Sequence, residues 1–253
     1  MTETKTVDFI TGAKGGIGKT FLSAALTQFY RSKGFATECF STDYAHEGLL
    51  AYKDLTPVEL SLTHAGDVIK ERFEGYLDSF ISDAYKGIER FVVDNGGSSS
   101  YDFLNFVREC GSDVLGSYRG IGLDIRIHTI ISAGASYGPC CAYLCGILEN
   151  TAPDEVVVVW LNPYFGEVGE ESVSSRIVPF TDSEIYRKNK DRLCVIGLPE
   201  YSGTIRRYMA RMAQNGETFE KACLEGSTHL NLANKAILHE LPRIYKVFEG
   251  LIA

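Results

Sequence analysis

A lysine, a threonine and four glycines lie close together near the N-terminus, in an order that suits phosphate binding. The run at 11–20 reads TGAKGGIGKT, ends in Lys19 and Thr20, and precedes an amphipathic segment. Glycines allow successive backbone N–H groups to converge on phosphate oxygens, and a helix N-terminus adds its positive dipole end. A lysine there supplies charge to the β and γ phosphates, and a threonine hydroxyl is a ligand for Mg²⁺. The sequence therefore predicts an anion-binding loop.

The pattern of this loop is compatible with two classes of nucleotide. Residues 14–20 form a P-loop, although the general pattern G-x-x-x-x-G-K-[ST] has a glycine at the place of Ala13. Residues 11–18 equally resemble the glycine fingerprint of the short-chain dehydrogenases, which are NAD(P)-dependent oxidoreductases. A dehydrogenase also needs a Tyr-x-x-x-Lys pair, because the lysine lowers the pKa of the catalytic tyrosine. Tyr186 and Lys190 have that spacing, so both classes stay open on the loop alone.

Six short apolar runs along the chain have the character of buried strands. They are separated by segments long enough for helices, and they lie at 7–10, 36–42, 90–94, 125–132, 156–161 and 193–198. Runs such as FVVD and VVVVWL are continuously apolar, which indicates that both faces of the sheet are covered. We therefore expect an α/β fold, a doubly wound, mostly parallel sheet flanked by helices. Ligands of such sheets bind beyond the carboxyl ends of the strands.

The composition indicates a folded globular protein. The 253 residues include 25 Lys and Arg against 33 Asp and Glu, and 45% of them are hydrophobic. These values exclude a disordered, collagen-like or coiled-coil chain. No apolar run reaches about 18 residues and the N-terminus is polar, so we expect a cytoplasmic protein. No linker or internal repeat is visible, so residues 1–253 are predicted to form a single domain.

The loop at 14–20, K-G-G-x-G-K-T, resembles the deviant Walker A motif of the ParA/MinD family of P-loop ATPases. This resemblance implies a P-loop NTPase fold, ATP and Mg²⁺ as ligands, and an ATP-dependent homodimer. In the family a second lysine, at the position of Lys14, reaches the nucleotide of the partner subunit. The resemblance assigns nucleotide binding to Gly15, Gly16, Ile17, Gly18, Lys19, Thr20 and Phe21, with Lys14 and Lys19 also catalytic.

Two carboxylates follow predicted strands at positions that the family uses for catalysis. Asp43 falls on the second Asp of the family's D-x-D motif, where the carboxylate holds or activates the attacking water, whereas Ser41 replaces the first. Asp94 ends the strand FVVD, as a Walker B aspartate does, and the resemblance assigns it with Thr20 to the metal. The P-loop interpretation accounts for these groups together and is favoured over the dehydrogenase, although Asp43 could equally cap a turn.

Two later positions resemble residues that hold the nucleobase. Asn162 ends a strand where relatives read the adenine edge with an asparagine, and Pro199 lies in a segment, GLPE, that resembles the loop closing over the base. An asparagine after a strand is also common in turns, which is the local alternative. Phe21 replaces a second threonine that is common in the family. Together with Ser41, this predicts slow hydrolysis that an activating partner protein stimulates.

Basic charge is concentrated towards the C-terminal end. Residues 176–253 carry 12 basic and 9 acidic side chains, against 13 and 24 in residues 1–175. Relatives with a DNA role place basic residues there, so we expect plasmid or DNA partition, positioning or conjugative transfer, with nonspecific DNA as a partner. The cations in question are Arg187, Lys188, Lys190, Arg192, Arg206, Arg207 and Arg211. The alternative interpretation of these charges is a solvated helical face.

Two other cellular roles stay open. The segment 236–253 could lie on a membrane surface as an amphipathic helix, as in a MinD-like positioning ATPase. Pro242 is expected to interrupt that helix, and the apolar positions of the segment suit packing on the sheet, so we favour a core helix. The third role is an adaptor that recruits other proteins when it is loaded with ATP and binds neither DNA nor membrane.

Overall fold

Parallel strands and the helices between them make up the fold. The computed structural model describes residues 4–43, 46–61, 63–64, 67–68, 70–171, 177–228 and 232–252. The strands are β1 (Lys5–Thr11), β2 (Thr37–Ser41), β3 (Val58–Glu59), β4 (Thr63–His64), β5 (Asp67–Val68), β6 (Arg90–Asp94), β7 (Leu123–Ser132), β8 (Val157–Asn162), β9 (Gly169–Glu171), β10 (Ile177–Pro179) and β11 (Leu193–Gly197). The α-helices are α1 (Lys19–Ser32), α2 (Lys70–Ile81), α3 (Gly97–Cys110), α4 (Val114–Gly120), α5 (Tyr137–Asn150), α6 (Glu184–Asn189), α7 (Gly203–Gln214), α8 (Phe219–Thr228) and α9 (Leu232–Phe248).

Across the described residues, seven strands pair in one sheet with the order β11-β8-β7-β1-β6-β2-β3. Every neighbouring pair in it is parallel. The carboxyl ends of the strands therefore lie at one edge of the sheet, as the sequence predicts for a doubly wound α/β fold. Two antiparallel hairpins, β4 with β5 and β9 with β10, lie outside this sheet.

The order of the strands separates this fold from the dinucleotide-binding one. In the Rossmann order 3-2-1-4-5-6 the first strand is adjacent to the second. Here β1 pairs with β6 and β7, and β2 lies on the far side of β6. The glycine-rich loop after β1 therefore has the end of β6 beside it, with its aspartate, instead of the end of β2. This arrangement contradicts the alternative of a short-chain dehydrogenase.

All six predicted strands are present, and their ends lie within two residues of the predicted ones. The long buried strands could be predicted because they are continuously apolar: β6 and the first four residues of β8 are almost entirely buried. In contrast, β3 is only two residues long and both are exposed, so it carries no hydrophobic pattern. The small hairpins were missed for the same reason of length.

Helix α1 shows how the layers beside the sheet form. Its apolar side chains recur at helical spacing, so that Leu22, Leu26 and Phe29 are buried, and the chain turns out of the helix at Gly34 with φ +87°. Phe248 of α9 packs against Phe29 of α1 and against Trp160 of β8. Helix α1 is thereby held between the sheet and α9, which fixes the loop at its N-terminus.

Helix α9 corrects one prediction and confirms another. The expected interruption at Pro242 is wrong, because the helix is continuous from Leu232 to Phe248 with this proline inside it. Pro242 is exposed, so the backbone can bend there without disturbing the core. Ile237, Ile244 and Phe248 are buried, as expected for a core helix. No helix in the described ranges is long and apolar enough to cross a bilayer.

Candidate functional site

The loop between β1 and α1 is folded as a phosphate cradle. Helix α1 begins at Lys19, and Gly18 before it has φ +105°, while Gly16 has φ +75°. Both values lie in the left-handed region that glycine adopts without strain. Gly15 and Gly16 are exposed, whereas Ile17 is fully buried and fastens the loop to the core. A loop with alternating left-handed glycines at a helix N-terminus turns its N–H groups towards one point, which suits an anion.

The ammonium group of Lys19 is held within this loop. Its Nζ donates to the backbone carbonyl of Lys14 at 2.7 Å, and the side chain is 7% exposed. Burial lowers the pKa of Lys19, and the carboxylates of Asp94 and Asp43 oppose that shift. The cation is therefore pre-positioned at the centre of the loop, where a phosphate would meet it without further ordering of the side chain.

Thr20, Ser23 and Asp94 form a cluster of oxygen atoms next to that cation. The hydroxyls of Thr20 and Ser23 donate to the two carboxylate oxygens of Asp94 at 2.8 and 3.0 Å. Burial raises the pKa of Asp94 to about 6, against the opposing effect of these two hydrogen bonds and of Lys19. Hydroxyl and carboxylate oxygens are the ligands that Mg²⁺ prefers, so the donor set fits this ion.

Asp43 lies beside the same cluster, just beyond the end of β2. A Cβ atom at residue 96 would lie 2.6 Å from Cγ of Asp43, so only Gly96 allows the carboxylate to approach this closely. The backbone N–H of His46 donates to Asp43 Oδ1 at 3.2 Å, which is the turn-capping contact of the local alternative. Gly48 closes over the group, because a Cβ there would be 3.8 Å from Asp94 Oδ2 and 3.9 Å from Asp43 Cβ.

Lys14 stands apart from the buried cluster. Its side chain is exposed, and Nζ donates to the backbone carbonyl of Ala135 at 3.4 Å, a long bond at the surface. Lys19 contacts only the backbone oxygen of Lys14, so the Lys14 ammonium group is not engaged in the phosphate cradle of its own chain. An exposed lysine at the mouth of the loop is accessible to a second molecule.

A cavity of about 510 Å³ adjoins the loop on the side of β8 and β11. It is mostly apolar, and its walls include Gly16, Gly18, Phe21, Asn162, Tyr164, Phe165, Pro199, Tyr201, Arg206 and Met209. Three residues predicted to bind the nucleotide thus line one cavity: Phe21 from the loop segment, and Asn162 and Pro199 from the positions predicted to hold the base. A mostly apolar cavity next to this loop suits a nucleobase.

The amide group of Asn162 already has two partners. Its Nδ2 donates to the carbonyl of Ile17 at 2.8 Å, and its Oδ1 accepts the N–H of Tyr164 at 3.0 Å. The side chain therefore fastens the loop to β8 and caps the turn that follows the strand, which is the local alternative for this residue. One amide hydrogen and one oxygen lone pair remain available, since an Asn side chain has two of each.

Several residues of the site were not predicted. Ser23 lies one helical turn after Thr20, and this spacing places both hydroxyls on the same face of α1, so periodicity would have revealed it. The cavity residues Tyr164, Phe165, Tyr201 and Met209 come from three separate segments that only the fold brings together. No short sequence pattern links such positions.

The basic residues of the C-terminal part differ in their surroundings. The guanidinium group of Arg192 donates to the carbonyls of Leu148 and Ala152 at 2.9 Å, and so caps the end of α5. The guanidinium group of Arg206 lies 5.4 Å from the ring centroid of Tyr164 at the cavity. Lys188 pairs with Glu184. Arg207 and Arg211 are exposed on α7.

Comparisons with known proteins agree with this fold. No protein-family model matches the chain. Two Escherichia coli proteins, both named Protein TraL, are 24% and 27% identical to it over 223 residues, which is 87% of this chain and 88% of each relative. Among solved structures, the MinD cell division protein of Aquifex aeolicus aligns with 95% of this chain and 97% of its own, at 16% identity and a TM-score of 0.53. The MinC:MinD cell division protein complex of the same organism matches at 14% identity and a TM-score of 0.50, over 95% of this chain and 96% of that chain.

The chain therefore has the α/β fold of the MinD cell division protein. This fold agrees with the resemblance of the loop at 14–20 to the ParA/MinD family.

Proposed function

We propose that this protein is a ParA/MinD-like ATPase, a molecular switch that binds ATP with Mg²⁺, dimerises in that state and hydrolyses the nucleotide slowly. The observation that carries the proposal is the cluster at the carboxyl ends of β1 and β6. There, Lys19 lies inside the curled loop while Thr20 contacts Asp94 at 2.8 Å. Phosphoryl transfer needs chiefly positioning and charge stabilisation, and this cluster has the groups for both. We infer a single ATPase domain over residues 1–253.

The proposed roles of the residues follow from their places in the site. The loop backbone at 15–21 holds the phosphates, with Lys19 neutralising the β and γ groups. Thr20 and Asp94 hold Mg²⁺, directly or through its water shell, and the ion would withdraw charge from the phosphate oxygens. Asp43 holds the attacking water, and Lys14 reaches the nucleotide of the partner subunit.

The nucleobase is proposed to occupy the cavity between the loop and α7. Phe21 and Pro199 supply apolar walls, and the free hydrogen and lone pair of Asn162 lie at its edge. The aromatic ring of Tyr164 adds a surface for stacking. In this arrangement the contact between Asn162 and the carbonyl of Ile17 couples base binding to the shape of the phosphate loop.

For the cellular role we propose DNA partition, positioning or conjugative transfer, in the cytoplasm and with an activating partner protein. The TraL relatives favour conjugative transfer among these. The cations at 207 and 211 are candidates for nonspecific contacts with DNA, because both are exposed on one helix. A gel shift with nonspecific DNA, with and without ATP, tests this role, and any affinity should fall steeply as the salt concentration rises. Liposome cosedimentation tests the membrane alternative in the same nucleotide states.

Nucleotide binding by the purified protein tests the proposal most directly. Binding of ATP with Mg²⁺ is compared with NAD and NADP while light scattering follows the mass of the same samples. We expect ATP to bind and to shift the protein from monomer to dimer. Binding of NAD or NADP without ATP would overturn the proposal.

Two lysine substitutions separate the roles within the loop. Lys19→Ala should lower ATP affinity by roughly 100-fold or more, because it removes the buried cation of the cradle. Lys14→Ala should leave ATP affinity within about 3-fold but remove ATP-dependent dimerisation, since the side chain is exposed and its hydrogen bond among the described residues is a long one to Ala135. Each variant therefore serves as the control for the other. Normal dimerisation of Lys14→Ala would show that this loop is not of the deviant type.

A further inference from the structure

Thr42, the residue before Asp43, is held by three hydrogen bonds to residues around the junction of β6 and α3. Its backbone N–H donates to the carbonyl of Asp94 at 3.0 Å, and its hydroxyl donates to Asn95 Oδ1 at 2.9 Å. Its carbonyl accepts the hydroxyl of Ser99 at 2.7 Å. The three partners are the last residue of β6, the residue that follows it and a residue in the first turn of α3, and Thr42 is 1% exposed. Thr42 is therefore fixed more firmly than a residue of an ordinary loop.

The partners of Thr42 are themselves tied to the phosphate loop. The backbone N–H of Asn95 donates to the carbonyl of Ile10 in β1 at 3.0 Å. The hydroxyl of Ser100 accepts the N–H of Gly12 at 3.2 Å, and Ser100 follows Ser99 in α3. The position of Thr42 thus depends on the same backbone that shapes the cradle.

Asn95 has a feature that a purely structural contact does not require. The side chain is fully buried, and its Nδ2 has no hydrogen-bond partner among the residues that the structure describes. A buried amide with one unsatisfied donor lowers stability, and such groups concentrate at functional sites. Asn95 thus lowers the stability of the fold while its Oδ1 accepts the hydroxyl of Thr42. We take this as a sign that the contact with Thr42 serves the site.

We propose that Thr42, through its hydroxyl bond to Asn95, is a positioning residue that places the carboxylate of Asp43 for hydrolysis. This inference rests on the proposed ATPase function. Asp43 follows Thr42 directly and is confined on its other side by Gly96. With Thr42 fixed, the carboxylate has little freedom to leave the neighbourhood of Asp94. Displacement of such a group by about 1 Å can cost roughly 100-fold in rate.

The test compares Thr42→Val with Thr42→Ser. Valine keeps the shape of the side chain but cannot donate to Asn95, whereas serine keeps the hydroxyl. We expect Thr42→Val to lower kcat for ATP hydrolysis by about 10- to 100-fold, with the Kd for Mg²⁺·ATP within about 2-fold of the wild type. Thr42→Ser should recover most of the rate. Thr37→Val is the matched control, because Thr37 begins the same strand and its hydroxyl donates to the carbonyl of Phe35.

A double substitution shows whether Thr42 acts through Asp43. In the Asp43→Asn background, Thr42→Val should cause no further loss of kcat, since the carboxylate that it positions is gone. Loss of the same factor in both backgrounds, or a normal kcat in Thr42→Val, would overturn the inference and leave the ATPase function standing. Absence of hydrolysis by the wild type would overturn both. Thermal melting of each variant shows that the compared proteins are folded.

Discussion

Two carboxylates buried in neighbouring strands have very different surroundings. Asp8 of β1 is fully buried and accepts bonds from Tyr30 at 2.9 Å and from His128 Nε2 at 2.8 Å. Trp160 donates to His128 Nδ1 at 3.0 Å, so the ring hydrogen of His128 is on Nε2 and points to Asp8. Asp94 of β6 is 1% exposed, yet it accepts bonds from two hydroxyls and lies beside the exposed glycine loop.

The difference between the two shows which carboxylate is built for stability and which for binding. The donors to Asp8 are aromatic side chains locked in the core between β1, β7, β8 and α1, and none can leave without opening the sheet. The donors to Asp94 are hydroxyls, which can turn and accept instead, so the carboxylate can exchange them for a cation. Burial raises the pKa of Asp94 to about 6, although both hydroxyls donate to its carboxylate.

The largest effect is expected from exchanging the two aspartates separately for asparagine. Asp94→Asn should abolish the dependence of nucleotide binding on Mg²⁺ and lower hydrolysis by roughly 100- to 1,000-fold, because the charge that faces the ion is lost. Asp8→Asn is the matched control and should keep both properties in the folded protein. Titration of a fluorescent ATP analogue with and without Mg²⁺ measures the first effect. If nucleotide binding by Asp94→Asn still depended on Mg²⁺ as in the wild type, Asp94 could not be distinguished from Asp8 as the carboxylate for ion binding.

The second effect is on stability, and here Asp8 is the residue whose loss should matter. Asp8→Ala leaves the hydroxyl of Tyr30 and the ring N–H of His128 unpaired in the core, so the free energy of unfolding should fall by about 3 to 5 kcal/mol. Urea denaturation measures this change, with Asp8→Asn retaining an acceptor and losing less. Trp160 is the single tryptophan of the chain and contacts His128, so its fluorescence reports on this cluster. A loss below about 1 kcal/mol would contradict the assignment of Asp8 to a stabilising role.

The sequence was sufficient for the parts of the site that lie close together in the chain. The phosphate loop at 14–20 and the strand ending in Asp94 could be predicted because each is a local pattern. The family resemblance assigned Thr20 and Asp94 to one metal ion, and in the structure the Thr20 hydroxyl lies 2.8 Å from the Asp94 carboxylate. The long strands were predicted for the same reason, since continuous burial leaves a continuous apolar run.

What could not be predicted depends on strand order and on distant contacts. The bond of Thr42 to Asn95 requires β2 to lie beside β6, and the Asp8 cluster requires β1, β7 and β8 to be neighbours. The helix through Pro242 was missed because its tertiary packing overrides the local effect of proline. Charge alone groups Arg192 with the other cations, whereas in the structure its guanidinium group caps the end of α5.

The smallest effect is the pH dependence of stability that arises from Asp94. Its pKa is about 6 in the folded protein, against about 4 for an unperturbed aspartate, so the folded state binds the proton more tightly. Ionised Asp94 therefore destabilises the nucleotide-free protein at pH 7, and this cost should vanish as the pH falls from about 6 to about 4. The total is roughly 3 kcal/mol at most.

Asp94→Asn isolates this contribution from the other titrating groups. Asparagine does not ionise in this range, so the variant should be more stable than the wild type at pH 7.5 without nucleotide, and the advantage should disappear by about pH 4. Unfolding in urea at a series of pH values gives the difference directly. Excess Mg²⁺ and ATP at pH 7.5 should reverse its sign, because the bound ion favours the charged carboxylate. A difference that stays constant from pH 4 to 7.5 would mean that folding does not raise the pKa of Asp94.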